Sequence, residues 1–213
     1  MGMKYQDLYN FGYITADLTA DEMAPLNAEI KSIQENFSTA SALNHDLAGN
    51  IQHQYEIKTN HDYLEQLVLP YAEKIWAGTH PHLWFTSYGI RRFTPLKMLE
   101  TAWVNFQAAG EFNPLHNHDG VLSFVIWCQI PYDMEDEYAY RPHTPPERNM
   151  AGKFQFVYSN MLGNQVTWNM NIDRSHENKL IIFPSKLLHA VYPFFSSDKY
   201  RISIAGNLSH ESR

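Results

Sequence analysis

The stretch Leu115-His-Asn-His-Asp-Gly120 contains two histidines at a spacing that suits metal binding. His116 and His118 are two residues apart, and alternate side chains of an extended chain point to the same face. The two imidazoles would therefore form half of a metal site at the mouth of a strand. Asp119 follows directly and would point elsewhere unless the chain turns at Gly120.

Two later stretches contain residues that could complete such a site. His189 ends the segment Phe183-Pro-Ser-Lys-Leu-Leu-His189 and opens another predicted strand. Arg201 and Ser203 then share one face of the last predicted strand, while apolar residues take its other face. A buried arginine requires a carboxylate, either internal or brought by a ligand. The order of a His-x-His pair, a third histidine and an arginine is far more specific than any one of these features.

The composition is that of a globular chain and excludes several classes of protein. Hydrophobic residues make up 44% of the 213 residues, charged residues 18%, and the formal net charge is −7. Nucleic acid is therefore an unexpected partner, because phosphates attract basic proteins. The single cysteine, Cys128, cannot form an internal disulfide. No apolar run approaches the roughly 20 residues of a spanning helix, so no membrane partner is expected. Without a signal-like apolar core near Met1, we expect a cytoplasmic protein.

The spacing of apolar residues predicts helices first and strands afterwards. Residues 23–37 have helical spacing with Asp21 as the N-cap, and a second helix starts at Asn60. Residues 38–58 and 133–150 are expected to form long loops. From Leu83 onward the period is two, which predicts eight strands: Leu83–Phe93, Thr101–Gln107, Val121–Ile130, Phe154–Ser159, Gln165–Met170, Leu180–Phe183, His189–Phe194 and Tyr200–Asn207.

Many short strands separated by turn residues predict the fold class. We expect a mainly β protein with N-terminal helices (α+β) and a core that is a barrel or jelly roll. The predicted division is an N-terminal helical portion, residues 1–82, packed on a β domain, residues 83–213, in one continuous globular unit.

Five stretches together carry a family resemblance: Trp103-Val-Asn105, Pro114-Leu-His-Asn-His118, Leu122-Ser-Phe-Val-Ile-Trp127, Ile182-Phe-Pro-Ser185 with His189, and Arg201-Ile-Ser-Ile204 with Asn207. On these residues the chain resembles the iron(II)/2-oxoglutarate-dependent dioxygenases, the prolyl-hydroxylase-like group with a double-stranded β-helix (jelly-roll, cupin-like) core. More narrowly, it is similar to uncharacterised oxygenase-like proteins of phages and marine bacteria, which implies a phage protein in the host cytoplasm. The resemblance covers residues 85–208.

The resemblance implies which residues bind the metal. His116 and His189 would be iron(II) ligands. Most of the superfamily has Asp or Glu where this chain has His118, so either three histidines bind the metal or Asp119 supplies a carboxylate. We favour His118, because it is two residues from His116 and so shares its face where the strand ends in extended conformation. Asp119 is three residues from His116 and would point to the other face.

The resemblance also implies how the co-substrate 2-oxoglutarate is held. Arg201 would bind its distal carboxylate, Ser203 would donate a second hydrogen bond, and Asn105 would help from the strand before the metal loop. Aromatic residues are candidates for the walls of the substrate pocket: Trp103, Trp127, Phe156, Tyr158 and Trp168.

The implied activity is a dioxygenase that uses O₂ and 2-oxoglutarate, hydroxylates a C–H bond of an unidentified substrate, and releases succinate and CO₂. Three alternatives stay open. One is a three-histidine iron oxygenase that works without 2-oxoglutarate, similar to the cupin thiol dioxygenases. Another is a non-catalytic metal- or ligand-binding jelly roll, and the last is a structural component that kept the fold.

Overall fold

The strands form two antiparallel sheets that face each other. A computed structural model of the chain describes residues 10–43, 49–141 and 143–210. The strands are β1 (Ile14–Asp17), β2 (His53–Glu56), β3 (Leu96–Gln107), β4 (Asn113–His116), β5 (Leu122–Gln129), β6 (Lys153–Ser159), β7 (Gln165–Asn171), β8 (Lys179–Pro184), β9 (Leu188–Val191) and β10 (Arg201–His210). The helices are α1 (Ala20–Glu35), α2 (His61–Gly78), α3 (Pro81–Tyr88) and α4 (Met134–Tyr140).

The chain passes back and forth between the two sheets. The larger sheet has the order β1-β8-β5-β10-β3-β2, and the smaller sheet has the order β4-β9-β6-β7. Every paired strand is antiparallel to its neighbours. This topology is the double-stranded β-helix, so the predicted fold class is confirmed.

The period of two in β3 and β10 separates a helix-facing side from a side that faces the smaller sheet. Val104 and Phe106 are fully buried in the cluster that contains the apolar residues of α1 and α2. The alternate residues Trp103, Asn105 and Gln107 line a cavity between the sheets. The helices therefore cover the outer face of the larger sheet and leave its inner face to form the site.

The N-cap of the first helix lies two residues before the expected one. Thr19 is the N-cap instead of Asp21, and its hydroxyl accepts the Glu22 N–H at 3.2 Å. The Glu22 carboxylate accepts the Thr19 N–H in return at 2.7 Å, which completes a capping box. The second helix was expected to start at Asn60, and this residue is the N-cap of α2. None of the described helices has the length and apolarity that crossing a membrane requires.

The predicted strand Leu83–Phe93 is wrong, because this segment begins inside α3. Pro81 occupies the first turn, where its fixed φ suits a helix and its missing N–H costs nothing. Gly89 ends the helix in the left-handed conformation with φ 72°. Trp84, fully buried, anchors the helix in the core. The alternation of apolar residues was real but belonged to a short helix.

The two segments expected to be loops contain regular structure. Residues 133–150 include α4, whose acidic first turn is favourable beside the positive end of the helix dipole. Glu137 is fully buried there and accepts the N–H groups of Phe195 and Ser196 at 2.8–3.0 Å. Residues 38–58 include β2, which pairs with β3 at the edge of the larger sheet.

Strands from the first 82 residues thus extend the sheet on both sides, β1 beside β8 and β2 beside β3. This region was expected to be helical, and its short strands lacked the repeated alternation that marks the later ones. The division of the chain into residues 1–82 and 83–213 stays a prediction.

Candidate metal centre and co-substrate cavity

Three histidines lie close together at the β4–β9 edge of the smaller sheet. His116 ends β4, His118 follows two residues later, and His189 lies in β9 directly opposite His116 in the strand register. The candidate ligand nitrogens of the three rings all lie within 4.8 Å of one another. Their ring centroids are 4.3, 4.8 and 5.0 Å apart. Antiparallel pairing of β4 with β9 therefore brings together residues that are distant in the sequence.

Backbone carbonyls orient two of these rings. His116 Nδ1 lies 2.7 Å from the carbonyl oxygen of Pro114, and His189 Nδ1 lies 2.9 Å from that of Leu187. In the tautomer with hydrogen on Nδ1, each ring donates to its carbonyl and keeps the lone pair of Nε2 for a ligand. The backbone N–H of His118 donates to the carbonyl of Ser185 at 2.9 Å.

Burial keeps the cluster uncharged at neutral pH. It lowers the pKa of His189 to about 3 and that of His118 to about 4, and it lowers the pKa of His116 as well. Proximity adds to the effect, because His116 further lowers the pKa of both other rings. Neutral imidazole is the form that binds metals, so the cluster is available as a ligand set without losing protons.

Asp119, the alternative carboxylate ligand, lies outside the cluster. Its side chain is exposed, and within the described part of the chain the group of residues with ligand atoms in mutual reach consists of the three histidines. The chain turns at Gly120, whose φ is 83°, but this turn does not bring Asp119 inward.

Arg201 is buried in the same cavity with neutral partners. Its side chain is 3% exposed. Gln107 Oε1 accepts from Nε at 3.2 Å and from Nη2 at 2.7 Å, Tyr132 Oη accepts from Nη1 at 2.7 Å, and the Tyr192 carbonyl accepts from Nη2 at 2.8 Å. Within the described residues, no carboxylate forms an ion pair with Arg201. A buried guanidinium without an anion is costly, so this end of the cavity favours a negatively charged ligand.

A row of polar side chains crosses the inner face of the larger sheet between these two groups. Gln54, Asn105 and Ser203 are neighbours in the register of β2, β3 and β10. Gln54 Nε2 donates to Asn105 Oδ1 at 2.8 Å, and Asn105 Nδ2 donates to Ser203 Oγ at 3.4 Å. Gln54 and Asn105 are both buried. These hydrogen bonds hold the polar atoms of the row in place.

We call the space that these residues enclose the histidine cavity. It has a volume of about 50 Å³ and contains the three histidines, Arg201 and the polar row. Trp103 and Trp127, two of the predicted pocket residues, are buried in its walls. Ser203 and Asn105 also line it.

The other predicted pocket residues lie elsewhere. Phe156, Tyr158 and Trp168 line a second space of about 490 Å³, which we call the aromatic cavity, and the linings of the two cavities share no residue. The structure thus brings Trp103 and Trp127 to the histidines and separates Tyr158 and Trp168 from them.

Sequence reasoning missed several residues of the histidine cavity. Gln107 was detectable, since it continues the alternation of Trp103 and Asn105 in β3. Gln54, which also lines the cavity, came from a segment expected to be a loop. No pattern pointed to Tyr132, which does not line the cavity but accepts a hydrogen bond from Arg201. The Oδ1 atom of Asn113 is the one buried side-chain nitrogen or oxygen in the described residues without a hydrogen-bond partner, and Asn113 also lines this cavity.

Comparison with protein families gives a match over the β core. The family model described as "Putative 2OG-Fe(II) oxygenase" matches residues 101–207, which is half of the chain and includes every cavity residue from Trp103 to Ser203. No curated protein matches the chain in sequence.

Solved structures share the fold at low sequence identity. A prolyl-4-hydroxylase from Pseudomonas putida superposes with a TM-score of 0.55 and 14% identity, over 95% of this chain and 94% of that one. A prolyl hydroxylase from Trichoplax adhaerens, in complex with a hypoxia-inducible-factor peptide, gives 0.54 and 12%, over 93% and 83%. The epimerase SnoN of nogalamycin biosynthesis, solved with Fe³⁺, α-ketoglutarate and nogalamycin RO, gives 0.53 and 12%, over 94% and 79%.

These likenesses show a common fold and do not transfer a substrate. The family match, by contrast, covers the strands that carry the histidines and the arginine. The chain therefore belongs to the 2OG-Fe(II) oxygenases, a family that uses iron(II) and 2-oxoglutarate.

Proposed function

We propose that the protein is an iron(II)- and 2-oxoglutarate-dependent dioxygenase that hydroxylates a C–H bond of its substrate. The observation that carries this proposal is one cavity with three neutral imidazoles at one end, that of His189 buried and the other two partly buried, and at the other end a buried guanidinium that has no anionic partner among the described residues. When bound, iron(II) and 2-oxoglutarate would supply the oxidising chemistry, in which O₂ is consumed and succinate and CO₂ are released.

The residues fit a metal ion and a dicarboxylate. Three imidazoles are ligands that iron(II) accepts, and the carbonyls of Pro114 and Leu187 orient two of them. The unpartnered Oδ1 of Asn113 leaves one acceptor for a hydrogen-bond donor in the same cavity. We assign His116, His118 and His189 as the metal ligands.

The other end of the cavity would bind and orient the co-substrate. A carboxylate beside Arg201 would receive the free N–H of its guanidinium and compensate its charge. Ser203 and Asn105 would add hydrogen bonds along the length of the molecule. Trp103 and Trp127 would exclude water from the site, which protects a reactive centre from side reactions.

Among the described residues, no carboxylate belongs to the histidine cluster, and this favours a second candidate function. A three-histidine site is neutral before metal binding and suits an iron oxygenase that needs no 2-oxoglutarate. The uncompensated charge of Arg201 is the reason that we rank this candidate below the first.

Anaerobic addition of iron(II) and 2-oxoglutarate to the metal-free protein tests the proposal. We expect a visible charge-transfer band that decays when O₂ is admitted, with formation of succinate. Iron binding without a band would overturn the proposal in favour of the second candidate, and failure to bind iron would overturn both.

The second ligand is tested by comparing His118→Ala with Asp119→Asn. We expect the first variant to lose bound iron and the charge-transfer band and the second to keep both, since Asp119 is exposed. The reverse pattern would show that Asp119 is the ligand.

A further inference from the structure

The aromatic cavity has no role in the proposed chemistry, yet it is the larger of the two cavities. Its volume of about 490 Å³ lies in the usual range for small-molecule sites, about 300–1,000 Å³. Six of its 13 lining residues are aromatic, and they come from the segment before β1, from α3, and from β6 and β7: Phe11, Tyr13, Tyr88, Phe156, Tyr158 and Trp168.

Some of these rings are open to a ligand. Trp168 is 50% exposed and Tyr13 is 39% exposed, although both are large aromatic residues. Neither Tyr158 nor Trp168 is in ring contact with another described aromatic side chain, whereas Tyr13 rests on Phe156 with ring centroids 5.5 Å apart. Exposed aromatic faces in a concave site favour stacking with a flat ring.

The polar groups of this cavity give it a positive charge. Lys186 is its one charged residue among the described lining residues, and no Asp or Glu is present there. The Lys186 ammonium donates to the Ser87 carbonyl at 3.0 Å and lies 4.8 Å from the centroid of the Tyr88 ring. It forms no ion pair within the part of the chain that the structure describes. The remaining N–H groups of the ammonium can therefore bind an anion, which is notable in a chain of net charge −7.

The aromatic cavity adjoins the histidine cavity through a thin wall. Phe156 lines the aromatic cavity, and its ring centroid lies 5.0 Å from that of Phe183, which in turn lies 4.9 Å from that of His189. Leu187 also lines the aromatic cavity, and its carbonyl is the one that orients His189. A ligand here would rest against the segment that positions a proposed metal ligand.

We propose that the aromatic cavity is a binding site for a small organic anion with a flat aromatic ring. The ring stacks on Trp168 and Tyr158, and a carboxylate or similar group lies beside Lys186. A neutral ring lacks the charge partner, and a flexible aliphatic acid lacks the stacking surface. This inference does not depend on iron or 2-oxoglutarate, because none of the residues that carry it belongs to the histidine cavity.

Isothermal titration calorimetry of the metal-free protein with 2-naphthoate tests the site. We expect saturable binding with one site per chain, and binding of the uncharged analogue 2-naphthamide at least about tenfold weaker, because it cannot make charge-assisted hydrogen bonds. The variant Lys186→Met should weaken 2-naphthoate binding by about tenfold and leave 2-naphthamide unchanged. Trp168→Leu should weaken both by about the same factor.

Two matched variants control for general effects of charge and aromatic area. Lys31→Met removes an exposed lysine on α1, and Phe93→Leu removes an exposed aromatic residue outside the cavity. Both should keep the wild-type Kd. Failure of 2-naphthoate to bind, equal affinity for the amide, or an unchanged Kd in Lys186→Met would overturn the proposal. Binding of 2-naphthoate to a protein that gives no charge-transfer band would refute the oxygenase proposal and leave this site standing.

Discussion

The histidine cavity and the aromatic cavity lie side by side but are built in opposite ways. Residues two apart on one face of β6 face different spaces, since Phe154 lines the first cavity and Phe156 lines the second. The first has buried polar groups that hold one another in place, such as Arg201 and Gln107. The second has half-exposed rings and a lysine at the surface.

This difference indicates two ways of recognising a small molecule. The histidine cavity has its hydrogen bonds preset, so it favours ions whose charge and geometry match them. The aromatic cavity offers shape and a single charge, so it favours a class of compounds over one compound. Substitutions in one cavity should therefore leave binding in the other unchanged.

Loss of a histidine should have the largest effect. We expect His189→Ala to abolish iron binding, because only two imidazoles remain and the third cannot be replaced from the described cluster. Metal content after anaerobic loading measures this. His82→Ala, which removes an exposed histidine from another His-x-His pair, serves as the control and should keep its iron. Weakened 2-naphthoate binding in His189→Ala would show that the two cavities are not independent.

Loss of the Arg201 side chain should weaken binding of the co-substrate and leave iron binding unchanged. We expect Arg201→Met to retain iron but to bind 2-oxoglutarate about 100-fold more weakly, because its carboxylate would then be buried without a charge partner. Titration of the charge-transfer band gives the affinity. Arg92→Met, at an exposed arginine, should match the wild type. An unchanged 2-oxoglutarate affinity in Arg201→Met would refute the role of this residue.

The stability of the metal-free protein should depend on pH through the histidine cavity. Burial lowers the pKa of His116, His118 and His189 below the ordinary value of 6.5, so the unfolded chain takes up protons in a range where the folded chain does not. Stability should then fall as the pH drops below about 6.5, by at most about 1.4 kcal/mol per pH unit for each imidazole. The decline should continue toward pH 4 and 3, the approximate folded-state pKa values of His118 and His189.

Denaturant unfolding at several pH values measures this slope. His189→Ala should have a shallower slope than the wild type, and His82→Ala should have the same slope. The aromatic cavity contains no histidine among its described lining residues, so Trp168→Leu should leave the slope unchanged. Equal slopes in all variants would mean that the buried cluster does not control the pH response.

A negative charge introduced beside Arg201 should have the smallest effect of the four changes predicted. Gln107 Oε1 accepts two N–H groups of Arg201, and its Nε2 donates to the carbonyl of Glu111, so the amide is fixed. We expect Gln107→Glu to neutralise Arg201 from within and weaken 2-oxoglutarate binding by about tenfold, with iron binding retained. Gln155→Glu, at a glutamine outside both cavities, is the control. Unchanged affinity would place the co-substrate away from Arg201.

Much of the site was predictable because its residues follow the alternation of side chains along an extended chain. The period of two in β3 and β10 placed Asn105 and Ser203 on one face, and the spacing of His116 and His118 placed both rings together. The same rule wrongly predicted a strand for residues 83–93, since alternation over a few residues also fits a short helix. It also missed β2 and with it Gln54, because a four-residue strand gives too short a pattern.

The sequence by itself determined the fold class, seven of the ten strands and the set of histidine and arginine residues that face inward. These depend on alternation and spacing within single strands, which the local chain geometry enforces. Only the tertiary structure decided which inward residues share a cavity. Trp127 joined the histidines while Trp168 did not, and Asp119 stayed exposed beside His118, which lines the histidine cavity. Alternation specifies the face of a residue, whereas its neighbours depend on strand register and on packing between sheets, which form across long separations in the chain.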